Sequence, residues 1–214
     1  MRSFALILCN GESPSRSLVR SLASRARLVV AADGGANAAL ACGVRPDVII
    51  GDLDSITPAT RRRFHRSLVI RVARQDNTDL EKALDFLLLR GIREVVIAGA
   101  TGRRLDFTLG NVSLIWRYAG RMRISLEGDG WRAIPLERRA SLRARRGTTV
   151  SLIPFGRCTG VTLRGLRYPL TRARLRIGDI AVSNVVTRSP FTISVTTGHM
   201  LLVLLTARGT GRSW

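Results

Sequence analysis

Apolar runs and helix-periodic segments alternate between residues 4 and 118, and this alternation predicts βαβ units. The runs expected to form buried strands are 4–9, 28–32, 46–50, 68–72 and 94–99. Each is followed by a loop rich in Gly, Asp or Asn and then by apolar residues at helical spacing. Because the carboxyl ends of parallel strands lie on one edge of a sheet, these polar loops should gather there.

The pattern changes near residue 120, where short alternating runs replace the helical spacing. The longer runs are 123–126, 142–146, 150–153, 161–163 and 191–205, with Gly and Pro between them. Such a succession is typical of a sandwich or jelly roll. The sequence therefore predicts an α/β protein with a Rossmann-like, three-layer parallel sheet in residues 1–122 and an all-β sandwich or jelly-roll-like domain in residues 123–214.

Composition supports a folded protein that works in a reducing compartment. The chain has 214 residues, of which 45% are hydrophobic, enough to bury a core. Its three cysteines, Cys9, Cys42 and Cys158, are far apart and lack the spacing of a disulfide framework or a zinc site. The apolar run 200–205 is far shorter than the roughly 20 residues that span a bilayer. We therefore expect a cytoplasmic protein without a membrane partner.

Net charge raises a second possibility, a polyanion partner. The formal charge is +20, with 35 basic residues against 15 acidic ones, and Lys82 is the single lysine. Arginines can neutralise phosphates, but here they are scattered along the chain and only 5% of residues are aromatic. We expect no specific nucleic acid partner, although a basic nucleic-acid- or nucleotide-binding protein remains the alternative from another class.

Two acidic clusters are candidates for metal chemistry. Asp52 and Asp54 lie in the segment 51–55, which directly follows the predicted strand 46–50. Asp79 begins a helix-patterned segment that Asn77 or Thr78 could cap. Three carboxylates at one sheet edge would suit Mg²⁺, which prefers oxygen ligands. The competing interpretation is that these residues only close loops and cap helices.

Another candidate is the loop Asp33-Gly34-Gly35, which follows the predicted strand 28–32. A glycine pair there can serve a tight turn, or it can let backbone N–H groups approach a phosphate. Asp33 would suit a metal ion or a ribose hydroxyl. The two histidines, His65 and His199, have no catalytic partners in the sequence pattern.

Taken together, the loops resemble the thiamine pyrophosphokinase family over nearly the whole chain. The matching segments occur in the family's order: Asn10-Gly11, 32–37, 46–55, Gln75 with 78–84, 99–106, and Gly178 with Ser183-Asn184. Several short motifs in register are far more specific than any one of them.

The resemblance implies transfer of the pyrophosphoryl group of ATP to thiamine, with Mg²⁺ as cofactor and ATP as co-substrate. It assigns the metal to Asp52, Asp54 and Asp79, which with Arg104 form the expected catalytic set. The residues expected to bind the nucleotide and its phosphates are Asn10, Asp33, Gly34, Gly35, Asn37, Gln75, Thr78, Lys82, Gly99, Gly102 and Asp106.

For the acceptor, the resemblance points to the second domain. Ser183, with Asn184 beside it, is expected to contact thiamine, at a site completed across a homodimer interface. A pyrophosphokinase acting on another hydroxymethyl heterocycle, such as a hydroxymethylpterin, is the alternative. Two residues depart from the family pattern: Arg103 replaces a glycine, and Phe107 replaces a His or Gln.

Overall fold

The computed structural model describes residues 4–73, 76–179 and 181–205. The chain divides into two compact units between Asp129 and Gly130. The strands of the first unit are β1 (Ala5–Leu8), β2 (Leu28–Ala32), β3 (Val48–Gly51), β4 (Leu68–Arg71), β5 (Glu94–Ala98) and β6 (Arg123–Gly128). Its helices are α1 (Arg16–Arg25), α2 (Gly35–Cys42), α3 (Pro58–Arg63), α4 (Asp79–Leu89), α5 (Leu105–Leu114) and α6 (Trp116–Ala119).

In the first unit the strands form a parallel sheet in the order β6-β5-β1-β2-β3-β4. Every residue of β1 is buried, so both faces of the sheet centre are covered. One face packs on α1 and α2 through Leu6, Val29 and Ile49. Helix α4 also packs against β2 and β3, through a stripe that includes Leu80 and Leu84. These layers confirm the predicted α/β class.

The second unit consists of antiparallel strands. They are β7 (Trp131–Leu136), β8 (Arg139–Leu142), β9 (Thr149–Pro154), β10 (Cys158–Arg164), β11 (Leu170–Leu175), β12 (Asn184–Val185), β13 (Phe191–Ser194) and β14 (Met200–Leu205). One sheet has the order β12-β9-β14-β7 and the other β11-β10-β13-β8. Residues of both sheets, such as Leu152 and Leu202 from the first and Phe191 and Ile193 from the second, share one core. This packing is that of the predicted sandwich.

Several predicted elements differ from the observed ones. The run predicted as a strand at 142–146 is wrong, because β8 ends at Leu142. The run 191–205 contains two strands, with residues 195–199 between them. The helical spacing that follows the run 94–99 predicts one helix, but the structure interrupts it at Ile115, where α5 gives way to α6. Apolar spacing indicates which residues are buried more firmly than it indicates where an element ends.

Strand β6 (Arg123–Gly128) follows the predicted domain boundary at 122/123, yet it belongs to the first unit. It pairs in parallel with β5 and therefore extends the sheet of the first unit. The sequence of a short alternating strand does not indicate which sheet it joins, because pairing depends on the partner strand. In the described ranges, no helix has the length and apolar character needed to cross a membrane.

Candidate functional site

Asp33 is the first residue beyond β2, and its side chain is almost completely buried. Its backbone lies in the left-handed region, with φ of 44°, which aspartate tolerates better than most residues. The Asp33 N–H donates to the carbonyl of Ile50 in β3, at 2.8 Å. This bond ties the loop after β2 to the end of the neighbouring strand.

The loop after β3 carries the predicted aspartate pair. Leu53, between the two, has φ of 70°, a conformation that is costly for a leucine. The Asp54 N–H lies 3.3 Å from Asp52 Oδ1, and the Ser55 hydroxyl donates to Asp54 Oδ1 at 2.9 Å. The loop is therefore held in a tight turn with Asp54 exposed and Asp52 half-buried.

Gly51 lets three acidic segments come together at this edge. A Cβ at this position would lie 2.7 Å from Asp33 Cβ and 3.0 Å from Asp79 Oδ1. The former is closer than real Cβ atoms approach another carbon, so a side chain would push these segments apart. Glycine therefore sets the spacing between the loop after β2 and the start of α4.

Three carboxylates meet at the edge of the sheet. Asp33, Asp52 and Asp54 each offer an oxygen, and these oxygens all lie within 4.8 Å of one another. Asp33 Oδ1 is buried and has no hydrogen-bond partner in the part of the chain that the structure describes. Octahedral Mg²⁺ holds its ligands about 2.1 Å away, so opposite ligands lie roughly 4.2 Å apart. The donor atoms and their spacing therefore fit a hard divalent cation.

The side chain of Asn37 braces the aspartate loop. Its Nδ2 donates to the carbonyl of Ser55 at 2.8 Å. Its Oδ1 accepts from the Thr57 N–H at 3.1 Å and from the Thr60 hydroxyl at 2.7 Å. Asn37 lies in α2, so this amide joins that helix to the segment that carries Asp52 and Asp54.

The third acidic segment begins α4. Thr78 caps this helix, because its Oγ1 accepts from the Glu81 N–H at 3.2 Å. Asp79 therefore lies in the first turn, as predicted, and its Oδ1 accepts a hydrogen bond from Lys82 Nζ at 2.9 Å. The Lys82 side chain is only 3% exposed, against 32% for Asp79.

Burial raises the pKa of the Asp79 carboxyl above its ordinary value. The bond from Lys82 acts in the opposite direction, whereas the negative charges of Asp33 and Asp52 raise the pKa further. Asp79 is thus electrostatically coupled to the cluster, although the group within 4.8 Å consists of Asp33, Asp52 and Asp54.

The glycine-rich loop after β5 approaches the end of β1. Gly99 has φ of 72°, and a Cβ there would lie 2.8 Å from the carbonyl oxygen of Cys9. The Gly102 N–H donates to Thr108 Oγ1 at 3.0 Å, which closes the loop onto α5. Arg103 has φ of 56°, the region that glycine adopts without cost, so this departure from the family pattern carries backbone strain.

Arg104 and Asp106 form an exposed pair on this loop. Arg104 Nη2 lies 2.5 Å from Asp106 Oδ2, and Nε lies 3.1 Å from Oδ1. This hydrogen bonding lowers the pKa of the Asp106 carboxyl and raises the pKa of Arg104. The guanidinium also stacks on the Phe107 ring, 4.3 Å from its centroid, so the second departure supplies a platform for Arg104.

In the second unit the two predicted acceptor residues differ in environment. Ser183 is exposed, has φ of 59°, and its N–H donates to Ser151 Oγ at 3.0 Å. Asn184 is buried, donates from Nδ2 to the carbonyl of Tyr168 at 2.7 Å and accepts from the Tyr168 N–H at 3.0 Å. The Asn184 amide therefore anchors the segment at Tyr168.

The structure brings five of the predicted residues together: Asp33, Asp52, Asp54, Asp79 and Lys82. Asn10, two residues beyond β1, lies against Gly34, where a Cβ would overlap the asparagine amide. Gln75 lies outside the described residues. The sequence interpretation did not include the bracing by Ser55, Thr57 and Thr60. Ser55 and Thr57 precede the Pro-initiated helix α3, and Thr60 lies in its first turn. This pattern indicates a helix cap but not a contact with Asn37.

The fold and the site define an α/β protein with an acidic, cation-suited edge, followed along the chain by a β-sandwich unit. Two family models match it: "Thiamin pyrophosphokinase, catalytic domain" over residues 19–126 and "Thiamin pyrophosphokinase, vitamin B1 binding domain" over residues 135–201. The chain belongs to the thiamine pyrophosphokinase family, as the resemblance predicted.

Individual relatives agree with this assignment. The chain is 29% identical over 184 residues to thiamine pyrophosphokinase of Bacillus subtilis, with 82% of this chain and 86% of the relative covered. It is 29% identical to thiamine pyrophosphokinase 1 of Oryza sativa, with 96% and 88% covered. The crystal structure of the B. subtilis enzyme superposes with a TM-score of 0.84 at 26% identity, covering 95% of this chain and 99% of that one. The Candida albicans structure has the same fold, with a TM-score of 0.84 at 17% identity, covering 95% of this chain and 88% of that one.

Proposed function

We propose that the chain is a thiamine pyrophosphokinase, which transfers the pyrophosphoryl group of ATP to the hydroxyethyl group of thiamine. A bond forms between the thiamine oxygen and the β-phosphorus, and the bond from that phosphorus to the α–β bridging oxygen breaks. AMP leaves with the bridging oxygen, and the hydroxyl proton is released. Family membership over both units supports this reaction.

The observation that carries the proposal is the convergence of Asp33, Asp52 and Asp54 at the carboxyl edge of the parallel sheet. Phosphoryl-type transfer depends on positioning and charge neutralisation more than on covalent help from the protein. In this proposal Asp52, Asp54 and Asp79 hold Mg²⁺, and Lys82 keeps Asp79 in place. When bound, Mg²⁺ would neutralise the polyphosphate and stabilise the departing AMP.

We assign the remaining residues of the first unit to the nucleotide. Backbone N–H groups at Gly34, Gly35 and Gly99 can approach phosphates closely because these residues carry no side chain. The Gly102 N–H is bonded to Thr108, so we assign Gly102 to the shape of the phosphate-facing loop. Arg104 is exposed, and its guanidinium is already oriented by Asp106 and Phe107. Less side-chain entropy is therefore lost when the guanidinium binds the polyphosphate. The other assigned contributors are Asn10, Asn37, Gln75 and Thr78.

The acceptor side of the proposal rests on Ser183. Its exposed hydroxyl, presented by a left-handed backbone, can hydrogen-bond a polar heterocycle, while Asn184 fixes the surrounding segment. We further propose a homodimer in which this residue completes a site near the interface. The three free cysteines are buried, which accords with work in the cytoplasm.

The direct test supplies the purified chain with thiamine, ATP and MgCl₂ and separates AMP and thiamine diphosphate by chromatography. Both products should appear in equal amounts, and Asp52→Ala should abolish them. Asp179→Asn, which changes an exposed carboxylate of the second unit, serves as the matched control and should keep full activity. Absence of AMP with the unaltered chain would rule out the proposal.

Two additional arms separate the alternatives. A hydroxymethylpterin replaces thiamine in the same assay, and faster AMP release with the pterin would reassign the acceptor. Binding of single-stranded DNA is then compared for the unaltered chain and Asp52→Ala. Under a polyanion-binding function this change leaves binding intact or stronger, whereas the enzyme should lose Mg-ATP affinity.

Subunit mixing tests the dimer. Asp52→Ala and Ser183→Ala chains, each of low activity when thiamine is well below saturation, are unfolded together, refolded and assayed at that thiamine concentration. If one chain supplies the aspartates and its partner supplies Ser183, mixed dimers regain one intact site and activity rises above that of either variant. Activity that stays at the level of the separate variants, or a monomeric mass by light scattering, would contradict the shared site.

A further inference from the structure

Asp33 is the most unusual carboxylate of the cluster because it is buried without a partner. It is 3% exposed, and its Oδ1 has no hydrogen-bond partner among residues 4–73, 76–179 and 181–205. An ionised oxygen removed from water without compensation is strongly disfavoured, so such groups are normally paired or bound to a metal. The same residue contributes an oxygen to the group that includes Asp52 and Asp54.

A helix-capping role does not account for this carboxyl group. Asp33 precedes α2, but the Ala36 N–H donates to the main-chain carbonyl of Asp33, at 2.9 Å. The N-cap residue is Gly34, which has no side chain that could cap the helix. In the described part of the chain, Asp33 Oδ1 accepts no hydrogen bond from the N–H groups at the start of α2. The backbone caps this turn, and the buried oxygen is left available.

Lys82 cannot be the missing partner of Asp33 Oδ1 either. Its Nζ donates to Asp79 Oδ1. Neither Lys82 nor any other described residue donates a hydrogen bond to Asp33 Oδ1. Among the residues that the structure describes, Lys82 is thus committed to Asp79, and no Lys or Arg forms an ion pair with Asp33, Asp52 or Asp54. A divalent cation among these three residues would satisfy all three carboxylates at once.

We infer that Asp33 is a direct ligand of the divalent cation, together with Asp52 and Asp54, and that the chain binds this cation before any nucleotide arrives. The inference rests on the proposed function for the identity of the site and adds a ligand to its metal set. Asp79, which is hydrogen-bonded to Lys82, would join this metal set when the polyphosphate enters.

The experiment titrates MnCl₂ into the nucleotide-free chain and follows free Mn²⁺ by electron paramagnetic resonance. The unaltered chain should bind one Mn²⁺, and Asp33→Asn should weaken this binding by about tenfold or more, in line with loss of one ligand. Asparagine tolerates the left-handed backbone of this position, so the variant should fold. Asp179→Asn should bind as the unaltered chain does.

Equal Mn²⁺ affinity for Asp33→Asn and the unaltered chain would overturn the inference, as would failure of the unaltered chain to bind Mn²⁺ at millimolar concentration. If circular dichroism shows Asp33→Asn to be unfolded, Asp33→Glu takes its place. The glutamate keeps the charge but moves the carboxylate by one methylene, so affinity should again fall by about tenfold, and unchanged affinity would count against the inference.

This result is separable from the proposed function, because no turnover is involved. If the unaltered chain makes thiamine diphosphate but the Asp33→Asn variant binds Mn²⁺ equally well, the function stands and the Asp33 ligand is lost. A chain that binds Mn²⁺ through Asp33 but forms no AMP would keep the metal site and lose the assigned reaction.

Discussion

Lys82 Nζ lies 2.9 Å from Asp79 Oδ1, one turn along the same helix, and the lysine is the more deeply buried of the two. Every other member of the 35 Lys and Arg residues is an arginine. A compact ammonium on a flexible stem can enter a space that a planar guanidinium cannot fill without displacing its neighbours. This position therefore requires lysine in a chain that otherwise uses arginine.

The first prediction concerns this pair. Lys82→Met removes the ammonium and should lower the free energy of unfolding by about 1–3 kcal/mol, less than for a fully buried pair because Asp79 is 32% exposed. Urea denaturation at pH 7 measures the change. The double variant Lys82→Met/Asp79→Asn should recover most of the loss, because no uncompensated charge remains. Strictly additive effects would show that the two side chains are not coupled.

The second prediction concerns the space at Gly51. Gly51→Ala should displace Asp33 or Asp79, lower the unfolding free energy by about 1–3 kcal/mol and reduce turnover by about a hundredfold. Gly110→Ala is the matched control, because a Cβ there meets nothing within 4 Å in the helix α5. This control should gain about 0.5–1 kcal/mol and keep its activity. Similar behaviour of the two alanine variants would contradict the crowding at Gly51.

The third prediction distinguishes a local role of the Arg104 guanidinium from the effect of the protein's net positive charge. Arg104→Gln should lower kcat/KM for ATP by about a hundredfold, as expected for loss of a group that stabilises the transition state. Its melting temperature should not change, because the ion pair with Asp106 is exposed. Arg123→Gln removes another exposed, ion-paired arginine of the same unit and should leave the kinetics unaltered. A matching kinetic loss in both variants would point to bulk charge.

The sequence was sufficient to predict that the loops carrying Asp33 and Asp52 lie at one edge, because consecutive strands of a parallel sheet are often neighbours. It was also sufficient to limit the helix cap to Asn77 or Thr78, of which the structure shows Thr78. The burial of Lys82 and the bracing by Asn37 were not predictable in the same way. Both depend on partners brought close by the tertiary fold, and periodicity specifies only which face a residue occupies.

In the second unit, too, the sequence does not show which contacts a residue makes: Ser183 is exposed, whereas its neighbour Asn184 is buried and bonded to Tyr168. The fourth prediction concerns this difference. Ser183→Ala should raise the KM for thiamine and leave the melting temperature unchanged, because alanine and serine meet the same backbone constraint. Asn184→Ala should instead lower the unfolding free energy by about 2 kcal/mol, because the Tyr168 N–H and carbonyl lose their partner. Steady-state kinetics and thermal unfolding of both variants check this, and reversed phenotypes would exchange the two roles.

The fifth prediction follows from the buried thiol of Cys9, whose pKa burial raises to about 12. In the unfolded chain the thiol ionises near its ordinary value of 9.0, so rising pH favours unfolding above that point. Stability should be unaffected by this group below pH 9 and should fall by about 1.4 kcal/mol for each further unit towards pH 12. The difference in urea midpoint between the unaltered chain and Cys9→Ala, measured from pH 8 to 10.5, isolates this effect. A constant difference would mean that Cys9 ionises equally in both states.

The Asn37 amide makes three hydrogen bonds to the segment from Ser55 to Thr60, so α2 and the aspartate loop form a single frame. Such a frame is preorganised for the reaction. The repulsion between its carboxylates is offset during folding by the burial of the core, so the carboxylates need no rearrangement when the reaction takes place. Binding energy from the polyphosphate can then be directed to the transition state. Catalytic power in this chain should therefore be sensitive to the Asn37 amide, whose oxygen and nitrogen are already bonded to the segment that carries the aspartates.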